Sequence, residues 1–333
     1  MWFDWSDSNS DIVLCSRARL ARNLKDVPFP RMLDREASEQ VVNRVREAME
    51  GSGYHILKMK EIGPVDRLAL VERHIISPQL ANNPEGAVFY SPDESVAVMV
   101  NEEDHLRIQA LSGSFEVDKA CDMAQSTDDF LAGRLPIAYD KNFGFLTCCP
   151  TNTGTGLRIS VMVHLPALTM SGNISGIIQA VGQFGMTARG LYGEGSAPSG
   201  SLYQFSNQIT LGVSETELRN SVMGTMGSIM QREREARQLL VKDYGLEDKV
   251  WRAYGILTHA RSIGIQEFMD LISSLKLGIS VGLIGNLQQE ALHRLIVEAQ
   301  AGCLQKRHGA QADTPETDRL RADFVREALN LSV

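Results

Sequence analysis

The chain has 333 residues, with 33 Lys and Arg against 41 Asp and Glu. Its net charge of −8 excludes a general polyanion-binding surface, since neutralising phosphates needs clustered excess cation. A composition that is 43% hydrophobic and 22% charged can bury a sizeable core and excludes wholesale disorder, and the length suits two domains.

In chain order, Met1 to Asp7 carries acid where a signal peptide carries base, and no run approaches the roughly 18 apolar residues of a membrane span. Cysteines at 15, 121, 148, 149 and 303 contain no CxxC pair and no Cys/His zinc spacing. The expectation is a reduced, cytoplasmic protein with no membrane or nucleic-acid role. Arg17 and Arg19 in Cys15-Ser16-Arg17-Ala18-Arg19 stand at i and i+2, on one face if the segment is extended. Ala37, Val41, Val42, Val45, Ala48 and Met49 recur at helical spacing over 34–50, entered through Asp34 and left through Gly51 and Gly53. Val88-Phe89-Tyr90 and Val96 to Val100, separated by Ser91-Pro92-Asp93-Glu94, predict an antiparallel hairpin. Phe143 to Cys149, Arg158 to His164 and Leu202 to Val213 are further β-rich runs, joined by long loops of Gly, Ser and Thr. Ser214-Glu215-Thr216-Glu217 is a capping box opening a helix to about Tyr244, and helical periodicity continues over 247–300. Polar residues 305–318 predict a loose linker before a terminal helix over 319–330. The fold class is therefore α+β: an antiparallel β-sheet flanked by helices over 1–245, then an all-helical C-terminal domain over 246–333. Glycines at 278, 282 and 285 within the apolar stretch Leu271 to Leu287 would permit close helix contact, in a homodimer or in the core.

The familiar phosphate-binding motifs, GxxxxGK[ST], GxGxxG after a strand, HRD and DFG, are absent. Other devices replace them. Two arginines on one strand face can clamp a polyphosphate, or can form a solvated basic strand. Thr151-Asn152-Thr153-Gly154-Thr155-Gly156-Leu157-Arg158 offers backbone N–H groups and a cation, or is a plain turn. Arg189 to Glu194 lies in a glycine-rich loop that suits a lid, as well as an inert surface loop. Asn101-Glu102-Glu103-Asp104-His105 presents carboxylates at the end of an apolar strand, where reactive groups or a solvated acidic turn occur.

Together, CSRAR at Cys15–Arg19, NEEDHLR at Asn101–Arg107, CPTNTGTGLR at Cys149–Arg158 and RGLYGE at Arg189–Glu194 resemble, in order, the motifs of the phosphagen kinase superfamily. Within it the chain is similar to the bacterial protein-arginine kinases. It begins close to the first arginine motif, without the helical N-terminal domain of creatine and arginine kinases, and it continues into a helical C-terminal region. Met162 also stands four residues after Arg158, where the small-molecule kinases usually place a histidine.

The resemblance implies a glutamine-synthetase-like catalytic fold and a kinase that phosphorylates arginine side chains of proteins, marking them for a Clp unfoldase-protease in the stress response. ATP would be held by Arg17, Arg19, Arg107, Arg158 and Arg189, with Ser16, His74, Ser160, Met162, Gly190 and Gly193 close to it. Mg²⁺ would be held by ATP and water, without protein ligands. Glu103 and Glu194 match the substrate-gripping carboxylates, with Asp104 as helper and Cys149 as the reactive cysteine beside the guanidinium; Cys148 would pack in the core. A C-terminal RDxxRA motif for phosphoarginine corresponds to Thr317-Asp318-Arg319-Leu320-Arg321-Ala322, with threonine in place of the first arginine. The resemblance thus nominates Asp318, Arg319, Arg321 and Ala322; otherwise they are ordinary residues of an amphipathic helix. Its implied partners are client proteins with exposed arginines, a zinc-binding activator protein and a second copy of the chain. The competing functions are phosphorylation of free arginine or another small guanidino compound, and client capture without catalysis.

Overall fold

The computed structural model describes residues 2–3, 8–190, 199–309 and 313–330. Its strands are β1 (Val13–Arg22), β2 (His55–Lys58), β3 (Ala87–Tyr90), β4 (Val96–Val100), β5 (Leu106–Gly113), β6 (Tyr139–Asp140), β7 (Gly144–Phe145), β8 (Leu157–His164), β9 (Met186–Arg189) and β10 (Leu202–Asn207). Eight form one sheet in the order β2-β3-β4-β5-β1-β8-β10-β9, with every neighbouring pair antiparallel, while β6 and β7 make a separate hairpin. The helices are α1 (Arg35–Ala48), α2 (Pro64–Glu72), α3 (Pro78–Ala81), α4 (Val117–Ala132), α5 (Pro166–Met170), α6 (Ile174–Gln183), α7 (Glu215–Leu240), α8 (Tyr244–His259), α9 (Ile265–Ser280), α10 (Gln289–Glu298), α11 (Ala301–His308) and α12 (Thr314–Asn330). Among the described residues, no helix is long and apolar enough to cross a membrane.

Side-chain alternation gives the sheet two unlike faces. On one, Ala18, Leu20, Ile108, Ala110, Ile159, Val161 and Phe205 pack against Val41 and Val45 of α1, Ala120 and Ala124 of α4, and Val222 and Met226 of α7. On the other, apolar contacts are confined to two patches. Val88, Ala97 and Met99 meet Leu70 of α2 and Leu80 of α3. Cys15, Leu111, Met162 and Leu202 share a core with Phe268, Ile272 and Leu275 of α9 and with other C-terminal helices. The strip between these patches is polar.

The predicted helix over 34–50 and hairpin over 87–100 are present as α1 and β3–β4. Asp34 accepts from Ala37 N at 2.8 Å, and the Ser214–Glu217 capping box opens α7. Elsewhere local contacts shorten the predicted elements. Only Gly144–Phe145 of the run 143–149 is strand, and beyond it Cys148 N is drawn to Asp104 at 2.6 Å. β10 stops at Asn207, whose side-chain amide turns to the carbonyls of Leu157 and Ile209, at 3.0 and 3.1 Å. The helix opened at Ser214 ends at Leu240, and Asp243 caps a new one, so Gly245 lies in the first turn of α8. The loose linker over 305–318 is corrected as well: α11 reaches His308, ends on Gly309 at φ +65°, and α12 starts at Thr314 with Pro315 in its first turn. Gly278 serves the interior, since a Cβ there would lie 2.3 Å from Val250 Cγ1 across the α8–α9 contact.

Candidate active site

The polar strip is built by strand register. Arg17 and Arg19 point away from Ala18 and Leu20; Arg19 lies between Gln109 of β5 and Arg158 of β8, Ala21 pairs with Arg107, and Gln204 of β10 pairs with Arg189 of β9. Arg17, Arg19, Arg107, Arg158 and Arg189 thereby line one cavity of about 360 Å³ together with His74, Gln109, Gln204, Glu102, Glu103 and Asp104. The TGTG loop closes on it through two glycines in the left-handed region. A Cβ at Gly156 (φ +65°) would lie 2.7 Å from Ala21 O, and one at Gly154 (φ +113°) 2.2 Å from Thr210 O.

Two of the cations donate to neutral groups. Arg17 donates to Gln204 Oε1 at 2.6 Å and to Ser160 Oγ at 3.3 Å, and Arg158 to Ser206 Oγ at 3.0 Å, all neutral acceptors. Burial, then the charges of Arg107 and Arg158, push the Arg17 guanidinium down to about 10. Burial, then Arg17, Arg107 and Arg158, hold Arg19 well below the usual arginine range, and Arg19 Nε is buried with no partner among the described residues. Like charges facing each other across strands are destabilising, so this cluster favours a polyanion. His74 (φ +60°) is pushed down to about 3, by burial and then by Arg17, so it faces the cavity as neutral imidazole.

Three carboxylates sit in the β4–β5 turn, where Asn101 takes φ +57° and donates from its amide to Ser38 O at 2.9 Å. Glu102 accepts from Ser77 Oγ at 2.5 Å and pairs with Arg107. Asp104 accepts from Asn23 Nδ2 and Cys148 N, both at 2.6 Å. Among the described residues the Glu103 carboxylate has no hydrogen-bond partner. Burial, then the neighbouring Asp104 and Glu102 charges, push its carboxyl above the ordinary range, which makes it a better proton acceptor.

Not every nominated residue faces the cavity. Ser16 lies on the opposite face, its hydroxyl donating to Ser114 O at 2.9 Å. Ser160 props Arg17, and Met162 is buried in the cluster shared with the C-terminal helices. Gly190 is buried just after β9, outside the lining. Cys149 heads the 3-10 turn Pro150–Asn152 that brings Asn152 to the cavity, with its Sγ 3.0 Å from Thr151 Oγ1. Cys148 is half-buried rather than a core residue, because its backbone is held at Asp104. Gly193 and Glu194 lie outside the described residues. In α12, Arg321 is buried and donates to the carbonyls of Ala299 and Ile263, at 2.9 and 2.8 Å, and to Asp318 at 2.5 Å. Ala322 is core and Arg319 is paired with Glu316 on the surface. Sequence reasoning saw Glu102 only as part of the acidic cluster and passed over Gln109 and Gln204. Gln109 follows Arg107 by two, and Gln204 and Ser206 alternate with apolar residues, a period-2 signal that marks the polar face.

The family model of the ATP:guanido phosphotransferase C-terminal catalytic domain matches residues 36–236, and that of the protein-arginine kinase McsB C-terminal domain matches 243–333. The chain is 44% identical over 331 residues to the protein-arginine kinase of Caldanaerobacter subterraneus subsp. tengcongensis, covering 97% of this chain and 98% of that one. It is 43% identical to that of Geobacillus stearothermophilus, covering 99% and 93%. Among solved structures, the duplicated taurocyamine kinase of Schistosoma mansoni with bound transition-state-analogue components superposes with a TM-score of 0.62 at 21% identity over 75% of this chain, which spans 38% of that longer one. A lombricine kinase gives 0.60 at 20% identity, covering 70% of this chain and 68% of that one. At those identities the likeness is one of fold: the antiparallel sheet is that of the phosphagen kinases, a class of ATP:guanido phosphotransferases. Within that class, the chain belongs to the protein-arginine kinase family.

Proposed function

We propose that the chain transfers the γ-phosphoryl group of Mg·ATP to a guanidinium nitrogen of arginine side chains in proteins. The observation that carries this is a single cavity lined by five arginines and by Glu103, a carboxylate whose affinity for protons is raised by burial and by Asp104 and Glu102 despite the opposing charges of Arg107 and Arg31. Phosphoryl transfer is catalysed mainly by positioning and by neutralising charge spread over equatorial oxygens, and forked, permanently charged guanidinium groups suit that task. Arg17, Arg19, Arg107, Arg158 and Arg189 would hold the triphosphate, with neutral His74 and the amides of Gln109 and Gln204 beside it. Mg²⁺ would be held by nucleotide oxygens and water, since the ion keeps much of its hydration.

The acceptor arginine is protonated and a poor nucleophile. Glu103, with Glu194 as its proposed partner, would grip it bidentately. The P–N bond then forms as the bond to the ADP oxygen breaks, and Glu103 takes the proton that the nitrogen loses. Asp104 would assist by keeping Glu103 basic, with Cys149 as the proposed cysteine beside the guanidinium. Phosphoarginine binding over 318–322 gains no support, because Arg321 is spent on interior carbonyls. The family-model boundaries at 236 and 243 support a catalytic part over 1–245 and a client-recognising helical part over 246–333. Family resemblance is the support for the wider setting: a cytoplasmic stress response, clients passed to a Clp unfoldase-protease, a zinc-binding activator and a homodimer.

The test is phosphosite mass spectrometry, under conditions that spare acid-labile P–N bonds, on an arginine-rich protein incubated with the chain and Mg·ATP, with free arginine in parallel. Phosphoarginine in the protein is expected, reduced at least about 10²-fold by Glu103→Gln. Phosphorylated free arginine alone would replace the protein substrate with a small guanidino compound, and no product in either would leave client capture without catalysis.

A further inference from the structure

We infer that Glu72 is a positioning residue through which the C-terminal helices hold one wall of the arginine-lined cavity. The inference rests on reading that cavity as the nucleotide site. α2 ends at Glu72, and His74, Ile76, Ser77, Pro78 and Gln79, which follow it, line the cavity. On the inner side the sheet holds this wall: Gln109 Nε2 donates to His74 O at 2.5 Å, and Ser77 Oγ to Glu102 at 2.5 Å.

On the outer side the wall is held by α11, from the far end of the chain. The residue at the N-cap of α11, Gln300, makes no side-chain capping bond. Glu72 does this instead, accepting from Gly302 N at 3.0 Å with one oxygen and from Cys303 N at 2.8 Å with the other. These are the second and third amides of the helix, the ones a capping side chain ordinarily satisfies, and a carboxylate there also lies at the positive end of the helix dipole. Gly302 permits the approach, since a Cβ on it would lie 2.7 Å from Leu68 Cγ and 2.8 Å from Ala69 N. Glu72 is only 7% exposed and does not line the cavity. Its effect on the site must run through the end of α2, where His74 is held at φ +60° with its N–H on Val71 O at 2.9 Å. Because coupling between two sites is reciprocal, nucleotide in the cavity and the seating of α11 stabilise each other. The C-terminal helices are then part of the nucleotide site rather than an appended module.

In the full chain, Glu72→Ala should raise the KM for ATP at least about fivefold, the low end of measured couplings, while kcat changes much less. Glu72→Gln, which keeps one acceptor oxygen, should recover part of the loss. An unchanged KM in a folded Glu72→Ala protein overturns the inference. Hydrogen exchange on the unmutated chain tests it without any variant: Mg·ADP should slow exchange of the Gly302 and Cys303 amides along with residues 71–79. Protection of 71–79 without 302–303 overturns the coupling and leaves the nucleotide reading standing. No protection at 71–79 overturns both.

Discussion

At the scale of single residues, what separates Glu103 from its neighbours is satisfaction. Glu102 is bound by Ser77 and Arg107, and Asp104 by Asn23 and Cys148, so each spends its charge on holding the turn. Glu103 keeps its charge for a ligand, and burial with two adjacent anions raises its proton affinity above the ordinary 4.5. A base works only when deprotonated, so activity should fall as pH drops through this raised value. Asp104→Asn removes one of the anions and should move the acid limb of kcat/KM to lower pH; an unmoved or upward-shifted limb would refute Asp104 as the cause. The three carboxylates were legible as a cluster in the sequence. Which one is free depends on Asn23, Ser77 and Cys148, brought in from three other segments.

β1 shows what one element can carry. Its alternation puts Ala18 and Leu20 in the core and Arg17 and Arg19 in the cavity, and this much follows from the period of a strand. The register adds what the strand alone cannot: Arg158 opposite Arg19, and Arg107 beside Ala21. Like charges directly opposite each other across strands are destabilising. Arg19→Gln should therefore raise the melting temperature of the nucleotide-free protein and shrink the further rise produced by Mg·ADP. A lower melting temperature without nucleotide would show that Arg19 is structural and that the cluster carries no such strain.

At the scale of the whole molecule, four buried histidines are kept neutral. His74 and His105 are pushed down to about 3 and about 4, chiefly by burial, and His164 and His293 well below the ordinary 6.5. All four bind protons in the unfolded chain from pH 6.5 downward but not in the native one, so stability is present above 6.5 and is lost as pH falls toward their folded values. Buried carboxyls such as Glu72, Asp104 and Glu233, raised by burial, act in the opposite sense at lower pH. Between pH 6.5 and 5.5 the histidines dominate, and chemical denaturation should show unfolding free energy falling by up to about 1 kcal/mol per histidine per pH unit. A flat profile across that interval would mean that these rings are protonated in place.

Local pattern was sufficient for whatever depends on neighbours in the chain: α1 from its apolar spacing and Asp34, the β3–β4 hairpin from its turn, α7 from its capping box, and the arginine and carboxylate motifs from their order. Tertiary structure alone decided the rest, because those outcomes depend on groups far apart in sequence competing for the same hydrogen bonds and space. Asn207 cuts β10 short by bonding to Leu157, Gly278 is consumed by Val250 within the helical core, and Arg321 is drawn inward by the carbonyls of Ile263 and Ala299. Glu72 bonds to a helix 230 residues away. The amino-acid sequence by itself determined which charged groups are available for chemistry. The packing of the sheet between helices determined which of them remain unspent.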